Sequence, residues 1–236
     1  MFYPMYSYDP TYLLVLIGVV LSLWASSRVN TTFNKYSRMH NSRGITGAEA
    51  AQRVLHNAGI RDVVVERVAG NLTDHYDPRD KVLRLSDSVY GSTSVAAIGV
   101  AAHECGHAIQ HANGYVPLKF RSVLVPVANI GAKISWPLIL FGLLITTKSS
   151  WVLIELGIFA FSLSVLFHLV TLPVEFNASK RAIRCIADTG MMYGEEIVSA
   201  KKVLNAAALT YVASAASSLL QLLRLVMLTG GRRRND

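Results

Sequence analysis

Long stretches without charged residues constrain this chain more than any other feature. Residues 10–27 carry no charge, and residues 122–147 and 149–174 carry one charge each. A helix rises about 1.5 Å per residue, so each stretch reaches roughly 27 Å or more, enough to cross a bilayer. Only 16% of all residues are charged, against roughly a quarter in soluble domains. We therefore predict a membrane protein in which the last two stretches form a transmembrane hairpin that turns at residues 148–150.

A fourth charge-free stretch, residues 203–223, is richer in Ala, Ser and Thr. Such small residues allow close helix packing inside or outside a membrane. Basic residues precede it at 201–202 and follow it at 224 and 232–234, so the distribution of charge gives no orientation for a crossing. The stretch is expected to be either a packed or interfacial helix or a fourth span.

The charges around the first stretch predict an orientation. No Lys or Arg precedes Arg28, which favours an uncleaved anchor over a signal peptide. Basic residues crowd its exit, whereas Asp9 precedes it; they are Arg28, Lys35, Arg38 and Arg43. The positive-inside rule then places residues 28–121 in the cytoplasm, and the hairpin returns the chain to that side for residues 175–202.

Five segments follow from this reading. They are an N-terminal anchor (1–27), a cytoplasmic domain (28–121), the transmembrane hairpin (122–174), a second cytoplasmic segment (175–202) and a C-terminal helix with a basic tail (203–236). The net charge is +8, but no basic stripe is interleaved with aromatics, so a nucleic-acid partner is not expected. Two cysteines are too few for a disulfide framework and agree with a reducing cytoplasm.

Within the first cytoplasmic segment, the pattern predicts a helix at 46–57 and strands at 62–68, 72–76 and 81–85. We expect these strands to form a small antiparallel sheet. The overall fold class is therefore a mainly α membrane protein with a small antiparallel β-sheet and three or four transmembrane helices.

Residues 94–112 are predicted to form the helix that carries the chemistry. Ser94 offers an N-cap, and Asn113 and Gly114 offer a left-handed stop. A buried stripe repeats every three or four residues at Ile98, Ala102, Cys105 and Ile109. His103 and His107 lie on another face about 6 Å apart, so both imidazoles can converge on one metal ion.

The run from His103 to His107 is the HExxH pattern of zinc hydrolases, in which the two His bind Zn²⁺ and the Glu, here Glu104, is the general base. His111 lies about 12 Å along the helix from His103 and cannot share the ion. The metzincin pattern needs Gly and His where this chain has Gln110 and Asn113, which excludes that class.

A carboxylate from elsewhere should be the third ligand, as in sites with two His and one Glu. Glu175 is the best candidate because it follows Pro173 at the cytoplasmic mouth of the hairpin, where a helical pattern begins. The alternative is that Glu175 only stabilises that helix's N-terminus by its charge. The rival ligands are Asp188, Glu195 and Glu196.

With these motifs in place, the chain resembles the bacterial neutral zinc metallopeptidases of the YugP-like membrane type. The resemblance rests on residues 101–111 (AAHECGHAIQH) and 173–179 (PVEFNAS) and covers nearly the whole chain. It implies an integral-membrane gluzincin with a zincin-like cytoplasmic domain. His103, His107 and Glu175 would be the zinc ligands and Glu104 the catalytic residue.

The best-known membrane gluzincins typically carry an Asp four residues after the ligand Glu, where this chain has Ser179. Asn177 and Ser179 are candidate substitutes for that supporting partner. Tyr211 and Arg181 are conceivable donors to the oxyanion.

The expected function is zinc-dependent hydrolysis of peptide or protein substrates at the membrane. A membrane scaffold with a structural zinc, or a hydrolase of another amide or ester, is the alternative. A structural zinc has four protein ligands and no use for Glu104, which favours catalysis. An extended substrate could pair with the 81–85 strand if that strand is the sheet edge, or the strand could merely pack on the HExxH helix.

Overall fold

A computed structural model describes residues 9–145 and 150–232, with side chains up to residue 229. The predicted hairpin turn at Lys148 and Ser149 and the tail residues Arg233 and Arg234 lie outside the described residues. The elements follow in the order α1 (Tyr12–Tyr36), α2 (Gly47–Asn57), β1 (Val64–Val68), β2 (His75–Asp77), β3 (Val82–Ser86), α3 (Asp87–Tyr90), α4 (Val95–Ala112), α5 (Val116–Leu144), α6 (Ser150–Asp188) and α7 (Glu195–Arg232).

Four helices, α1, α5, α6 and α7, are long and apolar enough to cross a membrane. At most 28% of the most apolar window of each is buried within the chain, so the remaining apolar surface is available to lipid. The predicted class, a mainly helical membrane protein with a small sheet, is confirmed. The charge-free stretch 203–223 is part of α7 and has the length and composition of a span.

The chain forms two compact units, which we call the membrane unit and the sheet unit. The described part of the membrane unit comprises residues 9–24, 124–145, 150–169 and 213–232. Its helices approach one another at small residues, since a Cβ on Gly131 would lie 2.5 Å from the carbonyl oxygen of Ala160. The hydroxyls of Ser22 and Ser217 are 3.1 Å apart. Such contacts are typical of helices packed in a membrane.

The sheet unit comprises residues 25–123 and 170–212 and contains the hydrophobic core. Helix α2 starts with a capping box in which the side chains of Thr46 and Glu49 each accept a backbone N–H. It packs with α4, and Leu83 and Leu85 of β3 are fully buried beneath them. The core therefore packs against one face of α4 and fixes its position, and the histidines lie on the other face.

The three strands form a mixed sheet in the order β1-β3-β2, which corrects the expected antiparallel sheet. Strand β3 pairs antiparallel with β2 but parallel with β1. Only β2 and β3 are joined by a short turn; the chain between β1 and β2 instead passes to the other side of β3, through Gly70 at a φ of 112°. Because β3 is the central strand with both edges paired, the expectation that a substrate could pair with residues 81–85 is wrong.

Helix α6 runs unbroken through Pro173. A proline removes one backbone hydrogen bond, which a long packed helix tolerates. Glu175 therefore lies deep inside α6, and the alternative in which it serves as an N-terminal helix charge is wrong.

Candidate metal centre

Helix α4 presents its two histidines on the side facing away from the core. The Ser94 side chain caps the helix by accepting from the Ala97 N–H at 3.1 Å, and Gly114 ends it with a φ of 61°. The predicted stripe is confirmed as buried: Ile98, Ala102, Cys105 and Ile109. The rings of His103 and His107 stand edge to face with centroids 4.9 Å apart.

Glu175 meets this pair of histidines. Its Oε2 lies 3.2 Å from Nε2 of His103 and 3.5 Å from Nε2 of His107, and the residue is only 2% exposed. One ligand atom from each residue lies within 4.8 Å of the others, so the three could hold a metal ion. Two imidazole nitrogens and one carboxylate oxygen are a donor set suited to zinc.

The rival carboxylates do not join this cluster. Glu196 instead accepts from the backbone N–H of Ser42 at 2.7 Å. His111 pairs its Nδ1 with the Tyr76 hydroxyl at 2.9 Å and stays out of the group, as expected. Both cysteines are free thiols.

A close approach of two helices brings Glu175 to the histidines. A Cβ on Gly106, inside the HExxH run, would lie 2.6 Å from the carbonyl oxygen of Ala178 on α6. Real Cβ atoms do not come that close, so only glycine lets the two backbones touch here. One helical turn before Ala178, α6 carries Glu175, which the contact holds against α4.

Two polar side chains orient the histidines from behind. Ser179 Oγ lies 3.1 Å from Nδ1 of His103, and Gln110 Oε1 lies 3.0 Å from Nδ1 of His107. When these two oxygens accept hydrogen bonds from the Nδ1–H groups, the Nε2 atom of each histidine carries no proton and can bind a metal. Gln110 also donates to the Val174 carbonyl at 2.8 Å and to Asn177 Oδ1 at 3.0 Å.

Of the two expected supporting residues, Ser179 thus contacts a candidate ligand directly and Asn177 acts through Gln110. Sequence reasoning used Gln110 only to exclude the metzincin pattern. A signal was present, since an amide three residues after His107 in a helix of mostly apolar residues must find buried partners. Gln110 is fully buried.

Glu104 is half-buried and no group within the described residues hydrogen-bonds its carboxylate. Burial alone would lower the pKa of His107, but the hydrogen bond to Glu175 and the charges of Glu104 and Glu175 raise it. Burial likewise raises the pKa of Asp74, despite two hydrogen bonds from Ser86, and the charge of Glu104 adds to the rise. Glu104 and Asp74 therefore share one negatively charged region beside the histidines.

Arg121 also reaches Glu175, which sequence reasoning missed. Its Nη1 lies 3.8 Å from Glu175 Oε1, and its Nε is buried without a hydrogen-bond partner among the described residues. Tyr211 also lies close enough to Glu175 and Glu104 to interact with both electrostatically. Arg181, the other donor named from the sequence, instead donates to Asn177 at 2.7 Å and lies over the Tyr115 ring.

The apolar helices and the donor set agree with a membrane protein that binds zinc. A family model described as "Putative neutral zinc metallopeptidase" matches residues 11–230. The chain is also 48% identical over 215 residues to "Putative membrane protease YugP" of Bacillus subtilis (strain 168), covering 91% of this chain and 94% of that protein. The chain therefore belongs to this neutral zinc metallopeptidase family, whose cofactor is zinc. No solved structure gives a significant match.

Proposed function

We propose that this protein is an integral-membrane zinc endopeptidase that hydrolyses peptide bonds with Glu104 as general base. The observation that carries the proposal is the convergence of His103, His107 and Glu175 within 4.8 Å. Next to His103 in sequence is Glu104, whose carboxylate makes no hydrogen bond within the described residues. A structural zinc would call for a fourth protein ligand. Within the described residues, no further His, Cys, Asp or Glu joins the three.

His103, His107 and Glu175 would hold the ion. When bound in such a site, Zn²⁺ lowers the pKa of a coordinated water to about 7 and polarises the substrate carbonyl. The Ser179 and Gln110 contacts keep both Nε2 atoms pointed at the ion, so the chain supplies the ligands in a fixed orientation.

Glu104 then has the proton-transfer role. It follows His103 directly on α4, so its carboxylate lies beside the ligands without being one of them. It takes the proton from the attacking water and gives it to the amine that leaves. Its freedom from hydrogen bonds within the described residues leaves both oxygens available for this exchange.

Tyr211 is the proposed donor to the oxyanion. It lies near both Glu175 and Glu104, whereas Arg181 is engaged by Asn177. Loss of one such donor typically lowers kcat by about 100-fold or more. Tyr211→Phe should lower kcat by that factor at unchanged zinc content. Tyr193 is exposed, so Tyr193→Phe should retain full activity and serves as the control.

The candidate site faces the cytoplasm in this proposal, because basic residues crowd the exit of α1. A single cysteine at Gly114 or Asn177, in a background with Cys185 replaced by Ser, should react with a membrane-impermeant thiol probe only from the cytoplasmic side. Labelling only from outside would reverse the orientation.

The decisive experiment for the function replaces the base and leaves the ligands. Glu104→Gln should bind zinc and fold normally, yet cleave an unfolded protein such as casein at least about 100-fold more slowly, since an amide cannot accept the proton. Glu195→Gln, an exposed carboxylate at the start of α7, is the matched control. Near-normal cleavage by zinc-loaded Glu104→Gln would rule the mechanism out.

A further inference from the structure

A cavity in the sheet unit shares no lining residue with the metal centre and is lined partly by basic residues. It has a volume of about 330 Å³ and lies between α1 and α7. Arg28 and Lys35 of α1 and Lys202 of α7 line it. We call it the basic cavity.

The three cations have no counterion among the described residues. Within residues 9–145 and 150–232, no carboxylate lies within ion-pair distance of any of them, whereas Arg67 and Arg84 of the sheet are paired with carboxylates. Three like charges around one cavity repel one another, and this repulsion is relieved when an anion enters. Charges that only set membrane orientation would have no reason to converge on one cavity.

Neutral hydrogen-bonding groups also line the cavity, together with a few apolar residues. The polar ones are Thr31, Thr32 and Asn205, and the apolar ones are Ala206 and Leu209. The Lys35 ammonium lies 5.4 Å from the centre of the Tyr36 ring, which limits its freedom. Ammonium, guanidinium, hydroxyl and amide groups together are the donors that bind phosphate oxygens in proteins.

The sequence places the cavity at the ends of two apolar stretches. Arg28 immediately follows the charge-free residues 10–27, and Lys202 immediately precedes the charge-free residues 203–223. In a membrane-spanning helix, such positions lie at the level of the lipid headgroups. We infer that the basic cavity binds a phosphate group, either the phosphodiester of an anionic lipid headgroup or a free phosphate.

This site is independent of the proposed catalysis, because none of its residues belongs to the metal centre. The test uses the full chain in vesicles of phosphatidylcholine with a minor fraction of phosphatidylglycerol at low salt. Spin-labelled phosphatidylglycerol and phosphatidylcholine report the lipid bound to the protein, and phosphorus NMR line broadening in detergent reports binding of inorganic phosphate.

The variant Arg28→Gln/Lys35→Gln/Lys202→Gln removes the three charges. Because one charge near a headgroup changes affinity by about 5-fold, the triple variant should bind phosphatidylglycerol on the order of 100-fold more weakly. The single variant Lys202→Gln should lose about 5-fold and settles the question if the triple variant misfolds. Arg38→Gln/Arg61→Gln/Arg79→Gln removes three exposed charges outside the cavity and is the matched control.

A preference of the wild type for phosphatidylglycerol that is lost in the cavity variants and kept in the control supports a lipid headgroup. Binding of inorganic phosphate with the same variant pattern, and no lipid preference, supports a free phosphate. The inference is overturned if the wild type binds neither probe, or if the control loses as much binding as the cavity variants.

Discussion

The two helices that meet at the candidate metal centre differ in how their sequences determine the site. Local spacing is sufficient in α4, whereas α6 depends on packing against another helix. In α4, the cap, the buried stripe and the histidine pair all lie within 18 residues and follow from local spacing. In α6, a helix of 39 residues, nothing local marks Glu175 as a ligand. Its position depends on the contact that Gly106 allows with Ala178. Two candidate ligands are therefore brought together by helical periodicity and the third by packing between helices.

The largest expected effect comes from removing the ligand that α6 supplies. Glu175→Ala should weaken zinc binding by at least about 100-fold, because even residues that only support ligands cost 10 to 100-fold. Asp188→Ala on the same helix should leave zinc affinity nearly unchanged, since Asp188 is outside the cluster. Competition with a chelator in one detergent measures both. Unchanged affinity in Glu175→Ala would return the third ligand to one of its rivals.

The supporting residues offer a test of each helix separately. Gln110→Ala on α4 frees His107, and Ser179→Ala on α6 frees His103, so each should lower zinc affinity by about 10-fold or more. Gln52→Ala, at an exposed position on α2, is the control. If the Gln110 variant bound zinc as tightly as the control, its contact with His107 would have no role in holding the ligand.

The contact between the helices should be sensitive to one methyl group. Gly106→Ala places a Cβ against the Ala178 carbonyl and should lower the free energy of unfolding by about 1–3 kcal/mol, with a parallel loss of zinc affinity. Gly99→Ala on the same helix is the matched control. Its Cβ would meet Ala200 Cβ at an ordinary 3.5 Å, and alanine favours a helix over glycine by about 1 kcal/mol. Equal melting temperatures for the two variants would show that α4 and α6 do not depend on this contact.

The smallest expected effect is a pH dependence at Asp74. Burial raises its folded-state pKa, so this carboxyl stabilises the fold below its ordinary pKa of 3.8 and loses that contribution as pH rises through the folded-state value. Asp74→Asn mimics the protonated form and keeps an acceptor for the Ser86 N–H. The melting temperature of the Asp74→Asn variant should therefore fall less than that of wild type between about pH 4 and pH 7. If the melting temperatures of the two proteins change equally with pH, the buried carboxylate has no stability cost.

The sequence predicts the features that depend on local residues and misses those that depend on contacts between distant segments. The long apolar helices, the α4 cap and its buried stripe are set by local composition and period, and the structure confirms these features. The sheet was mispredicted because the parallel pairing of β1 with β3 is non-local. Arg121 was missed for the same reason, since its approach to Glu175 depends on how α5 and α6 pack.

The coordination of the metal tests the central claim most directly. X-ray absorption at the zinc edge of the full chain in detergent should show two imidazole nitrogens and one carboxylate oxygen at about 2.0–2.2 Å, with one further light atom that exchanges with solvent. Glu175→Ala should lose the protein oxygen, whereas Asp188→Ala should give the wild-type spectrum. A zinc–sulfur distance of about 2.3 Å, or four protein ligands with no exchangeable position, would contradict the account.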